Sequence, residues 1–305
     1  MKNKIKKIAI IYAIFAAILS GCGKKYIEDS NVQIYKEFND ELDTEVKTLD
    51  MNTQGQAYID MGVYYKSICK NDGEINLQSK EPFSGFYSII NEMNETKNFT
   101  LVILDNYRQT EFEVDKKLMK SCTFCLGDGN SIDVPIRINE LSDGVHRLLF
   151  LIFSNTYTKE KYDKDEFING AVQATLFVGS RPYEDTQIRE NIFLKQQIAE
   201  SDGIQINKLD EKYFIETGNL QDINVTQIFI LFDNYEQIEM PECGDVIGCV
   251  ELEPGMKIKI PINNIIKDAE KDIHHNYVGV SIKKGSIKNK ETDYVLFSNT
   301  FEVPE

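Results

Sequence analysis

Six cysteines, three histidines and a twice-occurring Asp-Asn-Tyr-x-Gln segment are the residues of this chain whose type and spacing could do chemistry. Asp105, Asn106, Tyr107 and Gln109 recur as Asp233, Asn234, Tyr235 and Gln237. One reading is a twin ligand-binding loop, with Tyr as platform and the carboxylate and amide as hydrogen-bond partners. The other is a strand-to-strand corner, because Asp and Asn cap turns with their own side chains. A corner explains why both copies keep the segment without requiring a ligand. His146 and His275 stand at matching places, with His274 beside the second. Neighbours on a strand point to opposite faces, so His274 and His275 make a poor chelate.

The cysteines allow several chemistries. Cys122 and Cys125 have Cys-x-x-Cys spacing, which fits a redox pair, a zinc half-site or a tight disulfide. A redox pair needs a helix beside it, and here a turn, Gly127-Asp-Gly-Asn130, follows instead. Cys243 and Cys249 occupy the same interval of the second copy and are the more plausible local bridge, with Cys69 a competitor for either loop. Acidic groups at Asp163, Asp165 and Glu166, and at Asp128, Asn130 and Asp133, fall short of a full calcium-loop pattern. No metal or other cofactor is expected. The nucleophile elbow, the phosphate-binding loop and the dinucleotide turn are absent from the sequence. Paired carboxylates acting on wall glycan or peptide stay open as an alternative, since only a fold can place them.

The elements that must position these groups repeat. Phe99–Gln109 resembles Gln227–Gln237, Val134-Pro-Ile136 matches Ile260-Pro-Ile262, and Asp143–His146 matches Asp272–His275, at offsets of 128, 126 and 129. Matches in one order at nearly one offset mark two copies of a single unit. Each copy carries short runs of Ile, Val, Phe, Tyr and Thr bounded by Gly, Asn and Asp, such as Leu148–Phe153 and Ile228–Phe232. Such runs read as strands, and their spacing predicts an all-β chain of two antiparallel sandwiches. Leu141-Ser-Asp-Gly-Val-His-Arg-Leu-Leu-Phe150 resembles the Leu-x-x-Gly-x-His-x-Leu segment of bacterial immunoglobulin-like domains. The second copy departs from it, with Ile273 where the Gly would stand. The resemblance implies tandem immunoglobulin-like domains over residues 51–184 and 201–305. Residues 185–200 are a linker whose Asp185–Glu200 stretch is a candidate helix.

The start of the chain supplies an address. Lys2, Lys4, Lys6 and Lys7 precede an apolar run of 12 residues, Ile8–Leu19. A spanning helix needs about 20 apolar residues, so the run reads as an export signal. Leu19-Ser20-Gly21-Cys22 resembles the lipobox of bacterial lipoproteins. That resemblance implies cleavage after residue 21 and acylation of Cys22, with residues 22–50 as a tether. Ile34, Phe38, Leu42 and Val46 recur every four residues there, which predicts a short helix.

Loss of residues 1–21 removes four lysines and no acid, carrying the formal charge from −15 to −19. So acidic a chain lacks the basic patches that nucleic acid requires. The abundance of Ile, Asn and Lys with no Trp points to an AT-rich, Gram-positive source. The expectation is a non-catalytic lipoprotein on the extracytoplasmic face of the cell membrane, binding a surface protein or wall polymer or acting as a spacer.

Overall fold

Apolar runs separated by turn residues become strands: the fold is nearly all β, with 64% strand and 2% helix among the described residues. The computed structural model describes residues 32–35, 58–93, 95–154, 169–180, 188–209, 212–268, 275–285 and 293–303. The first half builds two sheets. Its inner sheet has seven strands, ordered Val32–Tyr35, Ser121–Leu126, Lys97–Asp105, Gly144–Ser154, Gly170–Val178 and Gly73–Leu77, with Arg108–Gln109 also paired to Lys97–Asp105. Its outer sheet has six, ordered Ile68–Cys69, Tyr58–Tyr65, Phe83–Glu92, Asn130–Ile138, Phe112–Val114 and Lys117–Met119. The second half repeats the plan with fewer strands. Val225–Asp233 and His275–Lys283 form the centre of its inner sheet, and Ile204–Leu209, Lys212–Asn219 and Met256–Pro261 carry its outer one.

Side-chain alternation sorts the apolar residues into three layers. Phe99, Leu101 and Ile103 face the first half's own core with Leu148, Phe150 and Ile152. Phe229 and Leu231 do the same in the second half. The residues between them, Val102, Leu104, Leu149 and Leu151, point the other way and meet Ile228, Ile230, Phe232 and Val280 in a third core. The four sheets therefore stack as outer, inner, inner, outer, and the two inner sheets are buried on both faces. That is why Phe99–Leu104 and Ile228–Phe232 are continuous apolar runs where a half-exposed strand would alternate.

Two local expectations change. Val32–Tyr35 is a strand, paired in parallel with Ser121–Leu126, so Ile34 does not begin a helix; Phe38, Leu42 and Val46 lie outside the described residues. β-branched and aromatic residues next to an open sheet edge favour strand addition over a thin helical stripe. The described part of the linker, 188–200, is not helical. It is an extended strap ending in the short strand Gln197–Ile198. Asn191 and Ile192 donate backbone N–H groups to the Cys249 carbonyl at 3.0 and 3.1 Å, and the Asn191 amide accepts from Cys249 N–H at 2.7 Å. An open strand edge satisfies these groups as well as a helix would. Among the described residues a helix forms at Asn263–Asp268, following Pro261 in the second half.

Candidate functional site at the joint between the halves

The repeated Asp-Asn-Tyr-x-Gln segments meet at this joint. Each is the two-residue corner of a hairpin. Asn106 and Tyr107 have φ of 48° and 70°, and Asn234 and Tyr235 have 46° and 69°. Left-handed backbone at both central residues is the type I′ geometry that suits strand twist. Asn tolerates it, whereas a tyrosine there is strained and needs compensation. The Asn side chains brace the corner alike in both copies: Asn106 Oδ1 accepts from Arg147 N–H at 3.1 Å and Asn234 Oδ1 from Asn276 N–H at 3.2 Å. The tyrosines are held by the opposite half. Tyr107 is fully buried and donates its hydroxyl to Asp293 at 2.8 Å. Tyr235 packs on Phe153 at 5.4 Å between ring centroids.

The glutamines clasp each other reciprocally. Gln109 N–H donates to Gln237 Oε1 at 2.6 Å and Gln237 N–H to Gln109 Oε1 at 2.7 Å. Each side-chain amide then donates across the joint, Gln109 to the Tyr235 carbonyl and Gln237 to the Tyr107 carbonyl, both at 2.9 Å. Such i-to-j and j-to-i contacts are the mark of a two-fold interface, here between two copies on one chain. The flanking charges are reversed. Arg108 grips Asp245 with two hydrogen bonds of 2.9 and 2.8 Å, and Glu236 faces Lys120 at 3.8 Å. The reversal favours the first copy pairing with the second over either pairing with itself.

A buried ion pair sits beneath the clasp. Arg147 and Asp293 side chains are both 0% exposed and bonded to each other across the joint. Arg147 also donates to the Gly285 carbonyl at 2.9 Å, and Asp293 accepts from Gly285 N–H at 2.9 Å. Burial pushes the Asp293 carboxyl above the usual carboxylate range, while the Arg147 guanidinium and the Tyr107 hydroxyl pull the other way. Each corner Asp also holds a histidine: Asp105 Oδ2 lies 2.8 Å from His146 Nδ1, and Asp233 Oδ2 lies 2.6 Å from His275 Nδ1. The second nitrogen of His146 faces the Ser142 carbonyl at 2.9 Å. With a carboxylate at one nitrogen and a carbonyl at the other, both donate, which is the imidazolium form. Burial works against that charge, but Asp105 and Ser142 outweigh it and the His146 pKa lies above its ordinary value. His146 therefore anchors the corner and leaves no lone pair for general-base chemistry.

The sequence reading singled out Asp105, Asn106, Tyr107, Asp233, Asn234 and Tyr235 as matching loops or corners, one in each copy; the structure brings both sets to one joint. It missed Arg147 and Asp293, which do not repeat. It also missed Asn91 and Asn219, which repeat at the 128-residue offset. Both are fully buried amides at strand ends. Asn91 donates to the Glu95 and Leu126 carbonyls at 2.9 and 2.8 Å and accepts from Met93 N–H at 3.2 Å. Asn219 matches it with Ile223, Leu252 and Gln221 at 2.9, 3.1 and 3.0 Å.

The expected Cys243–Cys249 bridge is absent: Cys69, Cys122, Cys243 and Cys249 are free thiols. Cys249 faces the joint and Cys243 packs against the second half's own core, on the opposite side of the inner sheet. Cys122 and Cys125 lie three apart on one strand, so their side chains leave opposite faces. Burial pushes the thiols of Cys122 to about 12 and Cys249 to about 11, the reverse of a redox-active cysteine. Among the described residues, no three His, Cys, Asp or Glu side chains gather to hold a metal. Asp163, Asp165, Glu166, His274 and Cys22 lie outside them. No described helix is long and apolar enough to cross a membrane.

No family model matches the chain, and no curated protein matches it. Among solved structures it is similar to the E. coli chaperone DraB at 10% identity, over 90% of this chain and 98% of that one. The TM-score is 0.27, too slight a likeness to carry an argument.

Proposed function

We propose that this chain is a lipid-anchored extracytoplasmic protein whose two immunoglobulin-like β-sandwich domains work as one rigid, non-catalytic unit, as a binding module or spacer at the bacterial surface. The observation that carries the reading is the reciprocal joint. It spends the repeated polar motif on fixing one copy to the other, and an apolar layer from both inner sheets backs it. Rigid placement of two domains is what a spacer or a two-faced binder needs. The lipobox-like Leu19-Ser20-Gly21-Cys22 supports the anchor, through acyl chains on Cys22 that give durable attachment when two are present.

Metabolic labelling with an alkyne fatty acid checks the anchor. Label on the wild type, with Cys22→Ala unlabelled and released from membranes, is the expected outcome; label retained by Cys22→Ala overturns it. Pulsed electron-spin distances between one spin label in each half check rigidity. A single narrow distribution is expected, and a broad one overturns the unit.

A further inference from the structure

Lys97–Asp105 and Val225–Asp233 each run from a loop end, braced by Asn91 or Asn219, to the corner at the joint. The two loop ends differ. In the first copy Glu92 and Glu95 stand exposed there. Their equivalents at the 128-residue offset are Leu220 and Ile223. Among the described residues eight large apolar side chains are at least half exposed, and five belong to this end of the second copy: Phe193, Ile198, Leu220, Ile223 and Tyr294. Backbone and side-chain bonds gather them. Ile198 pairs with Met256, which pairs with Asn219 beside Leu220. Asn219 donates to the Ile223 carbonyl at 2.9 Å. Asp202 accepts from Leu220 N–H at 3.1 Å and from Lys283 at 2.6 Å, and the Lys283 ammonium lies 5.9 Å from the Tyr294 ring centroid. Phe193 stands on the strap bonded along Gly248–Leu252. The first copy carries charge at the matching places, so the apolar residues are not a requirement of the scaffold. Exposed apolar clusters mark interaction sites.

The path of the chain relates this end to the anchor. The two copies stack head to tail. Tyr107, at the first corner, bonds Asp293, and the next residue, Tyr294, pairs with Lys283, which pairs with Gln227 near the loop end of the second copy. Phe153, paired with Thr100 toward the loop end of the first copy, packs on Phe232 and Tyr235 at the second corner. The apolar end of the second copy therefore lies at the same end of the molecule as the first corner. Val32–Tyr35 enters the sheet from that side. Val32 pairs with Ser121, level with Val102, and Tyr35 pairs with Phe124, level with Phe99, so the strand runs away from the corner. Cys22 precedes Val32 by ten residues, a span of about 35 Å at full extension. An acyl group on Cys22 is thus tied within reach of the end that carries the apolar side chains.

We propose that this end of the second copy faces the membrane, seating Phe193, Ile198, Leu220, Ile223 and Tyr294 at the headgroup boundary of the bilayer that holds the acyl chains. The inference rests on the anchored reading proposed above. Open loops do not enter hydrocarbon, so the backbone stays at the wet boundary and the side chains supply shallow apolar burial. Tyrosine suits that boundary, with an apolar ring and a polar tip. Asp222, between Leu220 and Ile223, is exposed at the same end, as are Glu200 and Glu253. Anionic lipid repels these carboxylates, so the contact is apolar and favours neutral headgroups. It is a second and weaker attachment. The anchor supplies a high effective concentration, and the apolar end supplies orientation.

The chain has no tryptophan, so a single one serves as a reporter. The mature acylated protein is reconstituted into phosphatidylcholine vesicles whose acyl chains are brominated, which quenches a tryptophan only on close contact. Fluorescence of Leu220→Trp should fall roughly two-fold on bromination, as shallow burial implies. Glu92→Trp, at the matching place in the first copy, should keep its intensity. Adding Ile223→Glu to Leu220→Trp installs the charge the first copy carries and should abolish most of the quenching. Vesicles enriched in phosphatidylglycerol should quench less. The proposal is overturned if Leu220→Trp is not quenched, if Glu92→Trp is quenched equally, if Ile223→Glu changes nothing, or if the anionic vesicles quench more. An unquenched Leu220→Trp whose emission shifts with protein concentration overturns it in favour of contact between copies. Flotation with vesicles and fatty-acid labelling of Cys22 report the anchor separately. Protein that labels and floats without quenching overturns the orientation alone, and protein that neither labels nor floats overturns the anchored reading and this inference with it.

Discussion

Gln109 and Gln237 perform the same task in both directions across the joint, whereas Asp133 and Lys259, at equivalent places on the outer sheets, carry opposite charges. The inner sheets face each other, so a change in one copy must be answered by the other. The outer sheets face solvent and are free to diverge on a fixed scaffold. Repetition inside one chain thus separates two kinds of residue. Those kept in both copies hold strand corners, strand ends and the joint. Those that differ while the scaffold stays, such as Tyr64 against Asn207, lie on the outer sheets.

The inner-sheet half of this comparison breaks hardest at Arg147. It has no counterpart in the second copy, where Asn276 stands in its place, and it is buried against Asp293. Arg147→Ala leaves a buried carboxylate without its cation and should cost about 3–5 kcal/mol in urea unfolding. The double variant Arg147→Met with Asp293→Leu should recover most of that loss, because well-packed apolar pairs replace buried ion pairs at little cost. If the single and double variants were equally unstable, the pair would be a minor part of the joint.

Asn91 and Asn219 sharpen the repeat itself. Asn91 ties down two carbonyls and one N–H, and Asn219 three carbonyls and one N–H, so substitution by Ala should cost about 1–3 kcal/mol at either site by leaving buried groups unsatisfied. Equal losses are expected; a several-fold difference between them would mean that the copies do not share this strand-end device. The glutamine clasp comes next. Gln109→Ala and Gln237→Ala should each cost about 1 kcal/mol, and the double variant about their sum, since each side-chain amide bonds backbone groups of the other copy that alanine keeps. A loss at one glutamine and none at the other would sink the reciprocal clasp.

Much of this architecture was legible in the sequence, and the gaps have physical causes. Strand content and the two copies follow from apolar runs and from offsets near 128, because both are local or self-referential signals. The corner reading of Asp-Asn-Tyr held because Asn carries its own turn chemistry. The joint was written in the sequence too: Phe99–Leu104 and Ile228–Phe232 lack alternation, which signals burial on both faces. What covered those second faces was not legible, because either copy could have met another chain. Arg147 and Asp293 come from unlike positions, and no spacing rule joins residues 146 apart. The Cys243–Cys249 bridge failed because sequence proximity does not say on which side of a sheet a thiol lies. Residues 188–200 contain helix formers such as Leu194, Lys195 and Gln196, and the open edge of Gly248–Leu252 drew them into a strap instead.

The smallest expected effect concerns protonation at the first corner. The folded-state pKa of His146 lies above the value of 6.5 expected of an unperturbed ring, so the folded protein holds that proton more tightly than the unfolded chain does. Its contribution to stability is complete below about pH 6.5 and is lost as pH rises through the folded value. Asp245 and Glu216 have lowered pKa values, through Arg108 for the first and, against burial, through Lys257 and Lys259 for the second. Their stabilisation is present above the unfolded carboxylate range and falls away only on acidification below it. Cys122 and Cys249 enter only in alkali, because burial keeps both thiols protonated to about 12 and 11. The window from pH 6 to 8 therefore isolates the histidine. Urea midpoints should fall slightly across it for the wild type, and His146→Gln should flatten the slope while still filling the corner. A slope unchanged in His146→Gln would place the titrating group elsewhere and remove the charged ring from the account of the joint.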